Sequence, residues 1–245
     1  MELNQIYHGD CLELMAGIPD GSVDMVLCDL PYGTTACKWD TIIPFEPLWA
    51  HYKRVIKKNG AIVLTASQPF TTELIASNFS MFKYELIWDK GRGFEPQLAN
   101  IRPMKSHENI IVFGQGKLFY NPQKTPCEPY TMNRKSLNKK DGEGQNIFAS
   151  KPQSKTYNEK FPVSILRAGF ERGLHPTQKP VALFEYLIRT YTNEGETVLD
   201  NCLGSGTTAI AAIRTGRNFI GMEKDDKYHA IACERVRQEL EQQTL

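Results

Sequence analysis

The 245-residue sequence lacks any apolar run approaching the roughly 18 residues that a membrane helix needs. Its opening residues, Met1-Glu2-Leu3-Asn4, form neither a charged nor an apolar leader. Membrane spanning and export are therefore not expected, and the cytoplasm is the expected compartment. Six cysteines (11, 28, 37, 127, 202 and 233) include no C-x-x-C pair, and several sit inside apolar runs. That spacing reads as reduced packing residues rather than a disulfide framework or a zinc site, so no metal is expected. Internal repeats and coiled-coil heptads are missing as well. So is an excess of either charge: the formal net charge of +1 argues neither for nor against a nucleic-acid partner.

What is present begins with an ordinary globular composition, 41% hydrophobic and 23% charged, which suits one main core with a smaller insert. The charge is unevenly distributed. Residues 115–172 hold 11 Lys/Arg (117, 124, 134, 135, 139, 140, 151, 155, 160, 167, 172) against five acids (128, 141, 143, 159, 171). That stretch is +6 and the remainder −5, so the positive field is concentrated in about a quarter of the chain. The same stretch carries Pro122, Pro126, Pro129, Pro152 and Pro162 with aromatics at Tyr120, Tyr130, Phe148, Tyr157, Phe161 and Phe170. The segment reads as an insert, since one this long and irregular inside a compact domain is either functional or disordered.

Elsewhere short apolar runs alternate with helical patterns. Gln5–His8, Val23–Asp29, Ala61–Ala66, Tyr84–Trp88 and Asn109–Phe113 read as strands. Leu48, Tyr52, Val55 and Ile56 recur at helical spacing, predicting a helix over Phe45–Lys57 capped at Asn59-Gly60. After the insert the pattern predicts helix Val181–Tyr191, strand Thr197–Asn201, helix Thr207–Arg214, strand Asn218–Met222 and helix Asp226–Gln242. Such alternation implies an α/β fold, a mainly parallel sheet with helices on both faces.

The stretch Asp200-Asn201-Cys202-Leu203-Gly204-Ser205-Gly206-Thr207-Thr208-Ala209 follows a strand and opens a helix. Its core fits G-x-G-x-x-G/A, and Glu223 ends the next strand 17 residues after Gly206. Glycines let the backbone approach a ligand, a helix N-terminus receives an anionic group, and the carboxylate accepts from ribose hydroxyls. That geometry serves NAD or S-adenosylmethionine equally. A dinucleotide-binding domain normally opens with this turn, whereas here it lies near the C-terminus. A circularly permuted Rossmann-like sheet reconciles the two. Ligands of such sheets sit at the carboxyl ends of the strands, where Asp29-Leu30-Pro31-Tyr32 also falls.

Those residues carry a resemblance. Asp29-Leu30-Pro31-Tyr32 resembles the D-P-P-Y catalytic motif of DNA amino-methyltransferases, and Asp200 to Thr208 is similar to their D-P-F-x-G-S-G-T-T cofactor loop. His175-Pro176-Thr177-Gln178-Lys179-Pro180 resembles the H-P-[TA]-Q-K-P segment that precedes that loop. The order of catalytic motif, variable region and cofactor loop is that of the beta class. Leu30 stands where the family has its first proline, and Asn201-Cys202 where it has Pro-Phe.

The resemblance implies a Rossmann-like methyltransferase sheet, circularly permuted and mainly parallel with one antiparallel strand. Residues 1–114 would form its catalytic half, 115–172 a target-recognition insert and 173–245 its cofactor-binding half. It implies S-adenosylmethionine as cofactor and DNA as partner, with a homodimer and a cognate restriction enzyme as open possibilities. Asp29 and the Leu30 carbonyl would accept the two N–H groups of an exocyclic amine, Pro31 would keep Leu30 extended, and Tyr32 would stack on the extruded base. Asp10 would bind the cofactor's adenine amine and Glu223 its ribose. Asp200, Gly204, Gly206, Thr207 and Thr208 would surround its methionine moiety, with Cys202 beside it and Lys179 on its carboxylate. Lys179 also reads as a solvated surface lysine, and Trp88 either lines the base pocket or is a buried strand aromatic.

Asp at the first motif position points to adenine-N6; cytosine-N4 chemistry and an inactive DNA-binding homologue are the alternatives. Cys127 after Pro126, and Glu108-Asn109, are reminiscent of cytosine-C5 methyltransferases. Both orders are reversed relative to those enzymes, so Cys127 is taken as an insert residue. An NAD-dependent oxidoreductase leaves Asp29 to Tyr32 and the basic insert unexplained.

Overall fold

Strand β2 (Val23–Asp29) buries six of its seven residues, more than an alternating strand with one wet face allows. Successive side chains point to opposite faces. Val26 and Cys28 join one apolar cluster, while Met25 and Leu27 join another. Each cluster is completed by helices, so the sheet is covered on both sides.

The computed structural model describes residues 1–33, 40–134, 138–140, 146–149, 153–169 and 178–243. Cys37, Pro152, Phe170 and His175 to Thr177, together with Lys135, Asp141, Glu143, Lys151, Glu171 and Arg172, lie outside the described residues. The chain divides into two compact units, one of residues 1–121 with 164–245 and one of residues 122–163.

The larger unit contains β1 (Gln5–His8), α1 (Cys11–Met15), β2, α2 (Phe45–Val55), β3 (Ile56–Ala66), α3 (Phe70–Ser77), β4 (Phe82–Phe94) and β5 (Lys105–Phe113). After the smaller unit, with β6 (Thr125–Arg134), β7 (Asn138–Lys140), β8 (Asn146–Ala149) and β9 (Gln153–Lys160), it resumes with β10 (Ile165–Arg167), α4 (Val181–Tyr191), β11 (Thr197–Asp200), α5 (Thr207–Arg214), β12 (Asn218–Glu223) and α6 (Asp226–Gln243). Its eight strands run in the order β1-β12-β11-β2-β3-β5-β4-β10. Only β5 runs against its neighbours, pairing antiparallel with β3 and β4; the other pairs are parallel. The order reverses between β11 and β2, the switch point where an open α/β sheet forms its crevice. The first strand lies beside the last, which is the permutation expected from the sequence.

Helices α1, α2 and α3 cover one face through Met15, Leu48, Tyr52 and Phe70; α4, α5 and α6 cover the other through Leu187, Ile210 and Val236. The turn at Asn59-Gly60 departs from the expectation. Helix α2 stops at Val55, and Gly60 lies inside β3, where the pairing with β2 shifts register between Val23 and Met25. A Cβ on Gly60 would stand 2.7 Å from the Asp24 carbonyl, so this glycine admits a close strand approach rather than ending a helix.

The smaller unit is built on a β6/β9 antiparallel ribbon, with β7 and β8 forming a second pair. Tyr130 and Tyr157 stack across the ribbon with ring centroids 5.5 Å apart, and Lys155 Nζ lies 5.3 Å from the Tyr157 ring. The unit lies inside the span expected for the insert. Residues on either side of it belong to the larger unit: Phe119 N–H donates to Asn59 O (2.9 Å), and β10 extends the large sheet beside β4.

Candidate active site

Because the strands are parallel, their last residues gather along one sheet edge. Asp10 follows β1, Glu223 ends β12, Asp200 ends β11 and Asp29 ends β2, four acids in the spatial order of the strands. Strand β5 runs the other way, so its beginning, Lys105 to Glu108, reaches that same edge. The four acids, with Lys105 and Glu108 of β5, line one cavity of about 900 Å³, together with the loop from Asn201 to Ser205.

In the glycine-rich half, the loop is held from below. Asp200 is 3% exposed; its Oδ1 accepts from Cys202 N (3.0 Å) and its Oδ2 from the Thr208 hydroxyl. Burial pushes the Asp200 carboxyl up to about 7, although these donors and the Cys28 thiol act against it. Gly206 has φ +90, and a Cβ there would stand 3.3 Å from Ala232 Cα on α6, which is why the turn into α5 requires glycine. Gly204 has φ +56 and its N–H donates to Glu223 Oε2 at 2.7 Å. Glu223 Oε1 accepts from Asp225 N (2.8 Å), and burial raises its carboxyl above the usual range. Asp10 caps α1 by accepting from Leu12 N (3.0 Å) and pairs with Lys224 (2.9 Å), which holds its carboxyl below the usual range. Thr207 is buried with its hydroxyl 3.5 Å from the Lys179 carbonyl.

Cys202 packs against the core beneath the cavity with Cys11, and its thiol accepts from Asn201 Nδ2 at 3.5 Å. Asn201 Oδ1 in turn accepts from the buried Tyr52 hydroxyl at 2.6 Å. Where the family pattern has Pro-Phe, this chain fastens its loop to α2 by a hydrogen bond.

The other half centres on Asp29. Residues 29 and 65 are opposite in the β2/β3 register, so the Thr65 hydroxyl donates to Asp29 Oδ1. The Tyr32 hydroxyl donates to the same oxygen (2.7 Å), and Lys179 Nζ donates to Oδ2 (2.6 Å). The Tyr32 ring stacks on Phe70 with centroids 5.3 Å apart, and burial holds its phenol protonated. Leu30 is 4% exposed with its side chain in the core, and Pro31 lines the cavity.

Lys179 is 5% exposed, not a solvated lysine, and stands between Asp29 and Glu108. Burial works against its charge, but the two carboxylates outweigh it and raise the ammonium above its ordinary range. Trp88 is 1% exposed with its Nε1 donating to Ala168 O (2.9 Å), a buried strand aromatic outside the cavity lining.

The geometry thus brings Asp10, Asp29, Leu30, Pro31, Tyr32, Lys179, Asp200, Cys202, Gly204, Thr207, Thr208 and Glu223 around one cavity, with Gly206 forming the turn behind it. Thr65, Ser67, Lys90, Lys105 and Glu108 also belong to this site, and no sequence motif marks them as members of it. The signal that finds them is topological: β3 ends beside Asp29 with Thr65 and leads into Ser67, β4 runs towards the same edge with Lys90, and the antiparallel β5 begins there with Lys105 and Glu108.

Known proteins resemble this chain in sequence and in fold. The sequence model of a family described as DNA methylase matches residues 23–234. The chain is 30% identical to the DNA adenine methyltransferase YhdJ of Escherichia coli K12, over 96% of this chain and 83% of that protein. It is 29% identical to the type II methyltransferase M.BglII of Bacillus subtilis, covering 94% and 68% respectively. Among solved structures it superposes on the M1.HpyAVI–SAM complex with a TM-score of 0.63 at 23% identity, over 94% of this chain and 98% of that one. The cytosine-N4-specific PvuII DNA methyltransferase gives 0.65 at 17% identity, over 96% and 90%.

Proposed function

Since the chain belongs to the DNA methylase family of N6- and N4-amino-methyltransferases, we propose that it methylates the exocyclic N6 of adenine in DNA, using S-adenosylmethionine. The observation that carries this reading is the shared cavity, with Asp29 to Tyr32 at the end of β2 facing the loop from Asp200 to Thr208 at the end of β11.

The residues present fit this cofactor. Glu223 and Asp10 are carboxylate acceptors at the ends of adjacent strands, suited to ribose hydroxyls and the adenine amine. Asp200 is an acidic partner for the amino group of the methionine moiety, and a Cβ on Gly204 would meet nothing within 4 Å, leaving its backbone open to a ligand. When bound, the cofactor supplies a methyl group on a positively charged sulfur.

An exocyclic amine is a poor nucleophile because its lone pair is delocalised into the ring. Asp29 and the Leu30 carbonyl, accepting its two N–H groups, turn that lone pair out of the ring plane and towards the methyl. The contribution of the chain is chiefly positioning. Asp29 arrives pre-oriented by Thr65, Tyr32 and Lys179, and the amine would take the place of the Tyr32 hydroxyl on it. The amine is paired within duplex DNA, so the base is extruded, with Tyr32 available to stack on it. The smaller unit supplies basic and aromatic side chains for phosphate and base contacts.

The test is transfer of labelled methyl to DNA followed by digestion to nucleosides. N6-methyladenine in the product is the expected outcome, and Asp29→Ala should reduce it by about a hundredfold or more. N4-methylcytosine would overturn the adenine assignment, and DNA binding without any transfer would overturn the enzyme.

A further inference from the structure

Glu108 has no part in the mechanism above, and its neighbourhood is unusual. Its side chain is 13% exposed, Oε1 accepts from Lys90, and the buried Oε2 has no hydrogen-bond partner while standing 3.3 Å from Lys179 Nζ. Lys179 in turn donates to Asp29. Lys90, Glu108, Lys179 and Asp29 therefore form an alternating, charge-balanced row from β4 and β5 to the end of β2. Such charges are costly to remove from water, and a chain needing only stability does as well with apolar residues.

We propose that Glu108 is a positioning residue for methyl transfer, acting through Lys179 to keep the charge of Asp29 directed at the target amine. This rests on the methyltransferase reading above. In the transfer the amine lone pair forms the N–C bond while the C–S pair stays on sulfur. Nitrogen holds the positive charge until its proton passes to Asp29 or water. Asp29 favours that charge only insofar as Lys179 does not cancel it. With Glu108 ionised, Lys179 is shared between two carboxylates; with Glu108 neutral, the row carries a net positive charge beside the developing cation. The electrostatics agree in direction. Burial opposes the charge on Glu108, but Lys179 and Lys90 outweigh it and keep its carboxyl below the usual range.

A double-mutant cycle on the full chain tests this, reading the single-turnover rate of labelled methyl transfer to DNA. Glu108→Gln should slow the chemical step about ten- to a hundredfold, with the cofactor KM little changed. Glu108→Asp, which keeps the charge, should recover part of the rate, and it serves as the test if the glutamine variant fails to fold by thermal melting. In a Lys179→Met background Glu108→Gln should cause no further slowing, because the group it acts through is gone. An unchanged rate in Glu108→Gln, equal slowing in both backgrounds, or a loss confined to cofactor KM would overturn the role while leaving the methyltransferase reading intact. A wild-type chain that transfers no label would overturn both.

Discussion

Asp29 and Asp200 are both acids at strand ends, yet their surroundings set them apart. Asp29 is partly exposed and receives donors from three side chains, one of them an ammonium. Asp200 is buried beside hydroxyl, thiol and amide donors, and burial raises its carboxyl to about 7. In the free protein it is neutral below that pH and ionised above it. A cationic amino group arriving beside it favours the ionised form, so binding below about pH 7 must release a proton. Cofactor affinity is therefore expected to be flat above pH 7 and to fall as pH drops through 7, by at most about tenfold per unit. Calorimetric titration at pH 6 and pH 8, in buffers of different ionisation heat, measures both affinity and proton release. Equal affinity at the two pH values, with no proton released at pH 6, would remove Asp200 from the methionine site.

At the scale of elements, much of the fold was legible because β2, β11 and β12 carry short apolar stretches ending on an acid and α4 and α5 carry a clean helical period. Helices Val181–Tyr191 and Thr207–Arg214 begin and end where the pattern puts them. Short or mixed segments were not legible. Helix α1 has five residues, α3 follows Pro69, and β10 is a three-residue edge strand whose apolar content is too small to register. The site divides the same way. Asp29 and Gly204 announce themselves by motif, whereas Glu108 and Thr65 depend on strand direction and register, which one sequence does not display. Asn201 is a related case: it reads as a lost proline and proves to be the acceptor that ties the glycine-rich loop to α2. Tyr52→Phe should leave its Oδ1 buried without that donor, lowering unfolding free energy by about 1–3 kcal/mol. Urea denaturation checks this, and an unchanged midpoint would mean that the loop is anchored by packing alone.

At the scale of the whole molecule, the two units divide the charge. The acids that serve the cavity lie in the larger unit, where they suit a cationic, hydroxyl-bearing cofactor. Basic residues dominate the segment that contains the smaller unit, as a phosphate-binding surface requires. Lys124 is engaged by Glu159 at 3.3 Å and counts for little in such a surface. Lys155 and Lys160 are exposed on β9, with Lys155 over the Tyr157 ring. If these lysines contact DNA phosphates, each contact releases about one counterion, and DNA affinity falls with rising salt accordingly. Lys155→Gln and Lys160→Gln should each weaken DNA binding and reduce the magnitude of the log affinity–log salt slope by about 1. The modified base should stay the same, because phosphate contacts position the duplex without reading it. Fluorescence anisotropy across a salt series gives the slope and nucleoside analysis gives the base. A slope unaffected by both substitutions would assign the positive field of this unit to something other than the DNA backbone, and a changed base preference would make these lysines readers of sequence.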